Sequence, residues 1–212
     1  MNPRTLKQTV VGTAGALECA IDMPGDGNAP VDPKGWALIC HPHPQHGGTM
    51  DNKVVQTVAR ALLQLGYQTV RFNYRGVGAS QGHWDEGRGE LDDVMSVLAA
   101  HRKPGLPFVL AGFSFGAYMA SQAIQQLSDD EKPQQLVLVG PSTQRQVMPN
   151  VPPHTVVIHG ESDEVVPLTA TMDWARPQVL PVIVFPGVGH FFHGQLALLR
   201  STVVQQLQAR GI

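Results

Sequence analysis

Short apolar runs alternate along the chain with longer stretches in which apolar residues recur every three or four positions. Trp36 to Cys40, Tyr67 to Tyr74, Pro107 to Ala111, Leu136 to Val139, Thr155 to His159 and Val182 to Phe185 are the short runs. Their length and β-branched content predict strands, several of them buried on both faces. Between them, Val55, Val58, Leu62 and Leu65 share one helical face over 53–65. Leu91, Val94, Met95 and Leu98 mark a second helix, and Met119, Ala123, Ile124 and Leu127 a third. A brief helix is predicted near 168–175, and a last one carrying Phe192, Leu196, Leu199 and Val203. At the start, 6–13 and 16–22 read as two strands joined across Thr13-Ala14-Gly15, and 26–34 as a polar, Gly/Pro-rich loop. This alternation predicts an α/β fold: a mostly parallel sheet, helices on both faces, and an antiparallel edge from the first two strands. Such sheets bind ligands beyond the carboxyl ends of their strands, so the loops that follow strands are where chemistry is sought.

A chain of 212 residues without internal repeats predicts one domain over 1–212. Lys plus Arg is 15 against 17 for Asp plus Glu, and only 15% of residues are charged. That balance excludes a polybasic nucleic-acid binder and an acidic disordered tail. No window approaches the roughly 20 apolar residues of a membrane span, and the first residues lack the features of a signal peptide. Cys19 and Cys40 are the whole cysteine inventory and read as two buried thiols in a reducing compartment. The expectation is a cytoplasmic protein with neither nucleic acid nor membrane as partner.

The pattern G-x-S-x-G, which places a nucleophile on a sharp strand-to-helix turn, occurs twice: Gly78-Ala79-Ser80-Gln81-Gly82 and Gly112-Phe113-Ser114-Phe115-Gly116. Context separates the two. Ser114 follows an apolar strand and opens a predicted helix, whose free N–H groups suit a developing oxyanion. Ser80 is followed by Gly82, Gly87 and Gly89 and reads as part of a structural turn. The bland alternative for Ser114 is a helix-capping serine between glycines.

A serine hydroxyl needs a base, and the base needs an orienting carboxylate. Downstream, one strand runs into Gly160-Glu161-Ser162-Asp163-Glu164 and the next into Pro186-Gly187-Val188-Gly189-His190. The order serine, acid, histidine is the one expected when the nucleophile sits on such a strand-to-helix turn. Glu161, Asp163 and Glu164 compete as the acid. His190 competes with His159, which ends its strand and reads as structural, and with His193, placed three residues into the last helix.

The loop His41-Pro42-His43-Pro44-Gln45-His46 follows the strand ending at Cys40 and supports two readings. It can supply an oxyanion N–H; prolines have none, so the backbone of His43 is the candidate, working with that of Phe115. It also has the H-x-H-x-x-H spacing of a metallo-β-lactamase site, with Gln45 where that pattern has an aspartate, so a metal-dependent hydrolase using His41, His43 and His46 is a rival function. A non-catalytic binding protein that keeps the fold is another.

The combination of His41-Pro-His-Pro, Gly47-Gly-Thr-Met-Asp-Asn-Lys53, Arg71-Phe-Asn-Tyr-Arg-Gly-Val-Gly78, Gly112-Phe-Ser-Phe-Gly116 and His159-Gly-Glu-Ser-Asp-Glu-Val-Val-Pro167 resembles the α/β-hydrolase superfamily. The resemblance is to its branch of small bacterial hydrolases and spans nearly the whole chain. It implies an eight-stranded, mostly parallel sheet. It carries the nucleophile to Ser114, the acid to Asp163 and the base to His190, with no cofactor or metal. The segment from Gly140 to Pro153 is too short for a multi-helix lid. The expected substrates are therefore small or medium acyl esters or thioesters, with water as co-substrate. Met50, Phe113 and Phe191 are weak candidates for an apolar rim.

Overall fold

The computed structural model describes residues 5–25, 31–103 and 105–212; part of the polar loop read over 26–34 lies outside the described residues. Eight strands form one sheet: β1 (Leu6–Gly12), β2 (Gly15–Asp22), β3 (Gly35–Cys40), β4 (Tyr67–Phe72), β5 (Phe108–Phe113), β6 (Gln135–Val139), β7 (Val156–Gly160) and β8 (Val182–Phe185). Their spatial order is β1-β2-β4-β3-β5-β6-β7-β8. β2 runs antiparallel to both β1 and β4, and every other pairing is parallel. This is the α/β-hydrolase fold.

The strands without polar alternation are the central ones. Every residue of β3, β5, β6 and β7 is buried, because helices cover both faces of a parallel sheet. β1 is mostly exposed along its length, as an edge strand with Lys7, Gln8 and Thr9 should be.

Five helices complete the layers: α1 (Lys53–Gln64), α2 (Arg88–His101), α3 (Phe115–Gln126), α4 (Leu168–Ala175) and α5 (Leu196–Gln208). α1 and α5 pack Val55, Val58, Leu62, Leu199 and Val203 on one face of the sheet, together with Ile39, Ala111 and Ile158. α2 and α3 pack Val94, Val97, Met119 and Ile124 on the other, against Leu38, Leu110 and Leu138. α1 starts where it does because the Asn52 side chain accepts from the N–H groups of Val54 and Val55.

Most boundaries shift by one or two residues from the sequence reading, and β5 runs to Phe113 rather than Ala111. β4 ends at Phe72 rather than Tyr74. α5 begins at Leu196, so Phe192 and His193 precede the last helix rather than belong to it. Phe192 has φ +52° and Gly194 φ +73°; those left-handed residues break the helix that their apolar spacing suggested. Among the described residues, no helix occurs between β6 and β7.

Candidate active site

The register aligns Cys40 of β3 with Gly112 of β5, and Gly112 with Leu138 of β6. The loops that leave β3, β5, β6, β7 and β8 therefore emerge side by side. Ser114 is the hinge between β5 and α3, with φ +55° and ψ −118°. A non-glycine residue held there costs about 1–3 kcal/mol, which the surroundings must enforce. They do so by close packing. A Cβ on Gly112 would sit 2.1 Å from the Gly116 carbonyl oxygen, and one on Gly116 would sit 2.2 Å from that of Cys40. Only glycine at both positions lets the strand, the first turn of α3 and the exit of β3 meet.

Ser114 Oγ is 3.0 Å from His190 Nε2, and His190 Nδ1 is 2.6 Å from Asp163 Oδ2. Since a carboxylate only accepts, Nδ1–H donates to Asp163 and the Ser114 hydroxyl donates to Nε2. All three residues are buried, and Ser114 retains 8% of its surface. The second carboxylate oxygen of Asp163 accepts from the N–H groups of Val166 at 2.7 Å and Val165 at 2.9 Å. Burial pushes the Asp163 carboxyl up, but these bonds and the His190 contact outweigh it and hold the group below the ordinary carboxylate range. The Phe113 ring lies against His190, 4.9 Å between centroids.

A family model described as serine aminopeptidase, S33, matches residues 33–167. The chain belongs to that family of α/β hydrolases. The structure of a lidless α/β serine hydrolase from Xanthomonas campestris superposes with a TM-score of 0.89 at 36% identity, covering 99% of this chain and 96% of that one. An α/β serine hydrolase homologue from Coxiella burnetii superposes at 0.84 with 39% identity, over 95% and 97% of the two chains. An uncharacterized protein of Rickettsia prowazekii is 38% identical over 116 residues, 53% of this chain and 47% of that protein.

The remaining sequence candidates fall in distinct places. Glu161 and Glu164 do not reach His190 Nδ1: Glu161 accepts from the Gly187 N–H at 2.8 Å, and Glu164 from the His190 N–H at 3.4 Å. Both clip the histidine loop to the acid loop by its backbone. Ser80 is 7% exposed and internally bonded; its hydroxyl donates to the Asn73 carbonyl at 2.7 Å and accepts from the Glu18 N–H at 2.9 Å. The backbone N–H groups of His43 and Phe115 have no acceptor among the described residues. Met50 and Phe113 are 1% and 0% exposed and have no surface for a substrate, which corrects their reading as rim; Phe191, at 40%, does.

The histidine-rich loop is held by its own side-chain contacts. His41 Nδ1 lies 2.6 Å from the Pro42 carbonyl and its Nε2 accepts from the Tyr74 N–H at 3.2 Å. Burial pushes its imidazole down to about 3. His43 is pushed down to about 4, by burial and by the neighbouring His46 and Arg145. Its Nδ1 accepts from the Gln45 N–H, and its ring stacks on His46 at 4.4 Å. Among the described residues, no group of three or more His, Cys, Asp or Glu is placed to hold a metal ion.

One neighbour escaped the sequence reading. Trp84 packs its ring 4.6 Å from that of His43 and 5.4 Å from that of Phe115. It lies on the connection between β4 and α2, which Arg75–Asp93 and the bonds of Glu90 to the Asp85 and Gly87 N–H groups brace. Nothing in the motif spacing marks it; only the fold carries that loop to the histidine-rich loop.

Proposed function

We propose that the protein is a serine hydrolase that cleaves small or medium acyl esters or thioesters through an acyl-enzyme on Ser114. The observation that carries this reading is the unbroken chain Ser114 Oγ, His190, Asp163, at 3.0 and 2.6 Å, on a strained strand-to-helix turn. Ser114 attacks the carbonyl while His190 takes its proton. Asp163, an anion at neutral pH, holds the imidazole and stabilises its charged form. The free N–H groups of His43 and Phe115 receive the oxyanion, each worth about 3 kcal/mol in the transition state. His190 then protonates the leaving group and activates water for deacylation. No metal or cofactor takes part.

The absence of a helical lid between β6 and β7 supports an open mouth, and the aromatic surfaces of Trp84 and Phe191 support an apolar acyl group. An aminopeptidase, which the family's description names, needs a carboxylate for the substrate's α-ammonium. Glu161 and Glu164, the other acids of the Asp163 loop, are bonded to the loop backbone instead. The buried thiols Cys19 and Cys40, both pushed up by burial to about 12, suit a cytoplasmic setting, where the chain acts as one domain over 1–212. No helix among the described residues is long and apolar enough to cross a membrane.

A fluorophosphonate probe tests the reading. Native protein labels and Ser114→Ala does not; absence of native labelling, or equal labelling of the variant, overturns it. A panel of esters, thioesters and aminoacyl anilides then separates the leaving groups.

A further inference from the structure

A second histidine stands directly behind the acid. His159, in β7, is fully buried, and its Nε2 lies 2.9 Å from the Val166 carbonyl oxygen and 3.5 Å from Asp163 Oδ2. Its Nδ1 is 3.3 Å from the Thr171 hydroxyl of α4, which is 3.0 Å from the hydroxyl of Thr143. These contacts select one tautomer. A carbonyl can only accept, so Nε2 carries the proton; Nδ1 accepts from Thr171, which accepts from Thr143. Burial lowers the His159 pKa, against the opposing Val166 bond and Asp163 charge, so the ring is a neutral donor at neutral pH.

Val166 is gripped at both ends: its carbonyl by His159 and its N–H by Asp163 Oδ1 at 2.7 Å. His159 thus reaches the carboxylate by two routes, through the Val166 peptide to Oδ1 and by the approach of its ring edge to 3.5 Å from Oδ2. The titratable groups facing it are Asp163 and His190. Glu161 and Glu164 are bonded to the 187–190 backbone, and Asp173 of α4 pairs with Arg176 at the surface.

We propose that His159 is a positioning residue of the triad, which holds the Asp163 carboxylate against His190 and ties it, through Thr171 and Thr143, to the partly exposed loop after β6. The inference rests on the serine-hydrolase reading above. The N–H edge of the ring, 3.5 Å from Oδ2 while its hydrogen bond goes to the Val166 carbonyl, draws charge from the oxygen that His190 uses. Removing it leaves that oxygen more negative, stabilises the His190 imidazolium and moves the acid limb of activity to higher pH. It also frees the carboxylate to rotate, which slows Ser114 at every pH.

The test is the rate of fluorophosphonate labelling across pH for native protein, His159→Leu, His159→Gln and Thr171→Val. His159→Leu should lower the plateau about tenfold and raise the acid limb by about half a pH unit. His159→Gln keeps an N–H at similar reach and should recover most of both. Thr171→Val should move both in the same direction by less. A folded His159→Leu protein with native rate and native limb refutes the role, as does a Gln variant no better than Leu. If the Leu variant does not fold, a native profile for Thr171→Val is the refuting result. Ser114→Ala separates the two failures. If it labels like native protein, the hydrolase reading falls. If it is silent while the His159 and Thr171 variants match native, only the positioning role falls.

Discussion

The chain carries one five-residue pattern twice, and the two copies fold into opposite situations. Burial does not distinguish them: Ser80 is 7% exposed and Ser114 8%. Bonding does. The Ser80 hydroxyl gives its proton to the Asn73 carbonyl and accepts the Glu18 N–H, so both of its capacities tie β2 to the loop after β4. The Ser114 hydroxyl faces an imidazole acceptor alone. Backbone also does. Ser114 has φ +55°, whereas around Ser80 the positive φ falls on glycines, Gly78 at +57° and Gly82 at +87°. Strain sits on the residue itself at one site and is passed to glycine at the other. The reading of Ser114 as the nucleophile thus rests on a hydroxyl that donates to an imidazole from a strained backbone, rather than on its flanking glycines.

The largest expected contrast is catalytic. Ser114→Ala should lower hydrolysis of an activated ester by at least about a thousandfold, with thermal stability near native, whereas Ser80→Ala should retain native turnover. Asp163→Asn should fall in the same range as Ser114→Ala, because an amide can present N–H to His190 and favour the wrong tautomer. Next comes the packing that enforces the strain. Gly116→Ala drives a methyl into the Cys40 carbonyl and should cost about 3 kcal/mol in urea denaturation, with loss of labelling. Ser80→Ala strands the Glu18 N–H and the Asn73 carbonyl without that partner. It should cost about 1–3 kcal/mol while labelling survives. An unstable but fully active Ser80→Ala protein and a stable but inactive Ser114→Ala protein are the pair that the comparison requires.

Per pH unit, the smallest effect lies at the joint between the regions, where His41 of the His41–His46 loop accepts the Tyr74 N–H. Its imidazole titrates at 6.5 when unfolded and at about 3 in the fold. Between those values the unfolded chain binds a proton that the folded chain does not. Stability therefore falls as pH drops from 6.5 toward 3, by up to about 1.4 kcal/mol per pH unit from this one group. Asp163 behaves as a depressed carboxylate: its contribution is complete above the ordinary carboxylate range and is lost only as pH falls through its folded value. Urea midpoints at pH 7.5, 5.5 and 4.5 should show the slope, and His41→Gln should flatten it.

The sheet was legible because its central strands are unbroken apolar runs, and parallel strands with helices on both faces need such runs. The serine, acid and histidine loops were legible because each follows a strand in the order that the fold demands. Choosing among Glu161, Asp163 and Glu164 was not legible from spacing, since three residues of one loop differ only in where the turn aims them. Two of them bond backbone N–H groups, and only Asp163 meets the imidazole. Phe192 kept helical spacing while its φ of +52° placed it before the helix. Trp84 and the Thr143–Thr171–His159 chain depend on contacts between segments far apart in sequence, and no periodicity encodes those.

The most direct test of the account is a peptide map of the protein after reaction with a fluorophosphonate. The account predicts a single adduct, on the peptide carrying Ser114, with Ser80 unmodified. An adduct on Ser80, or none on Ser114, contradicts it.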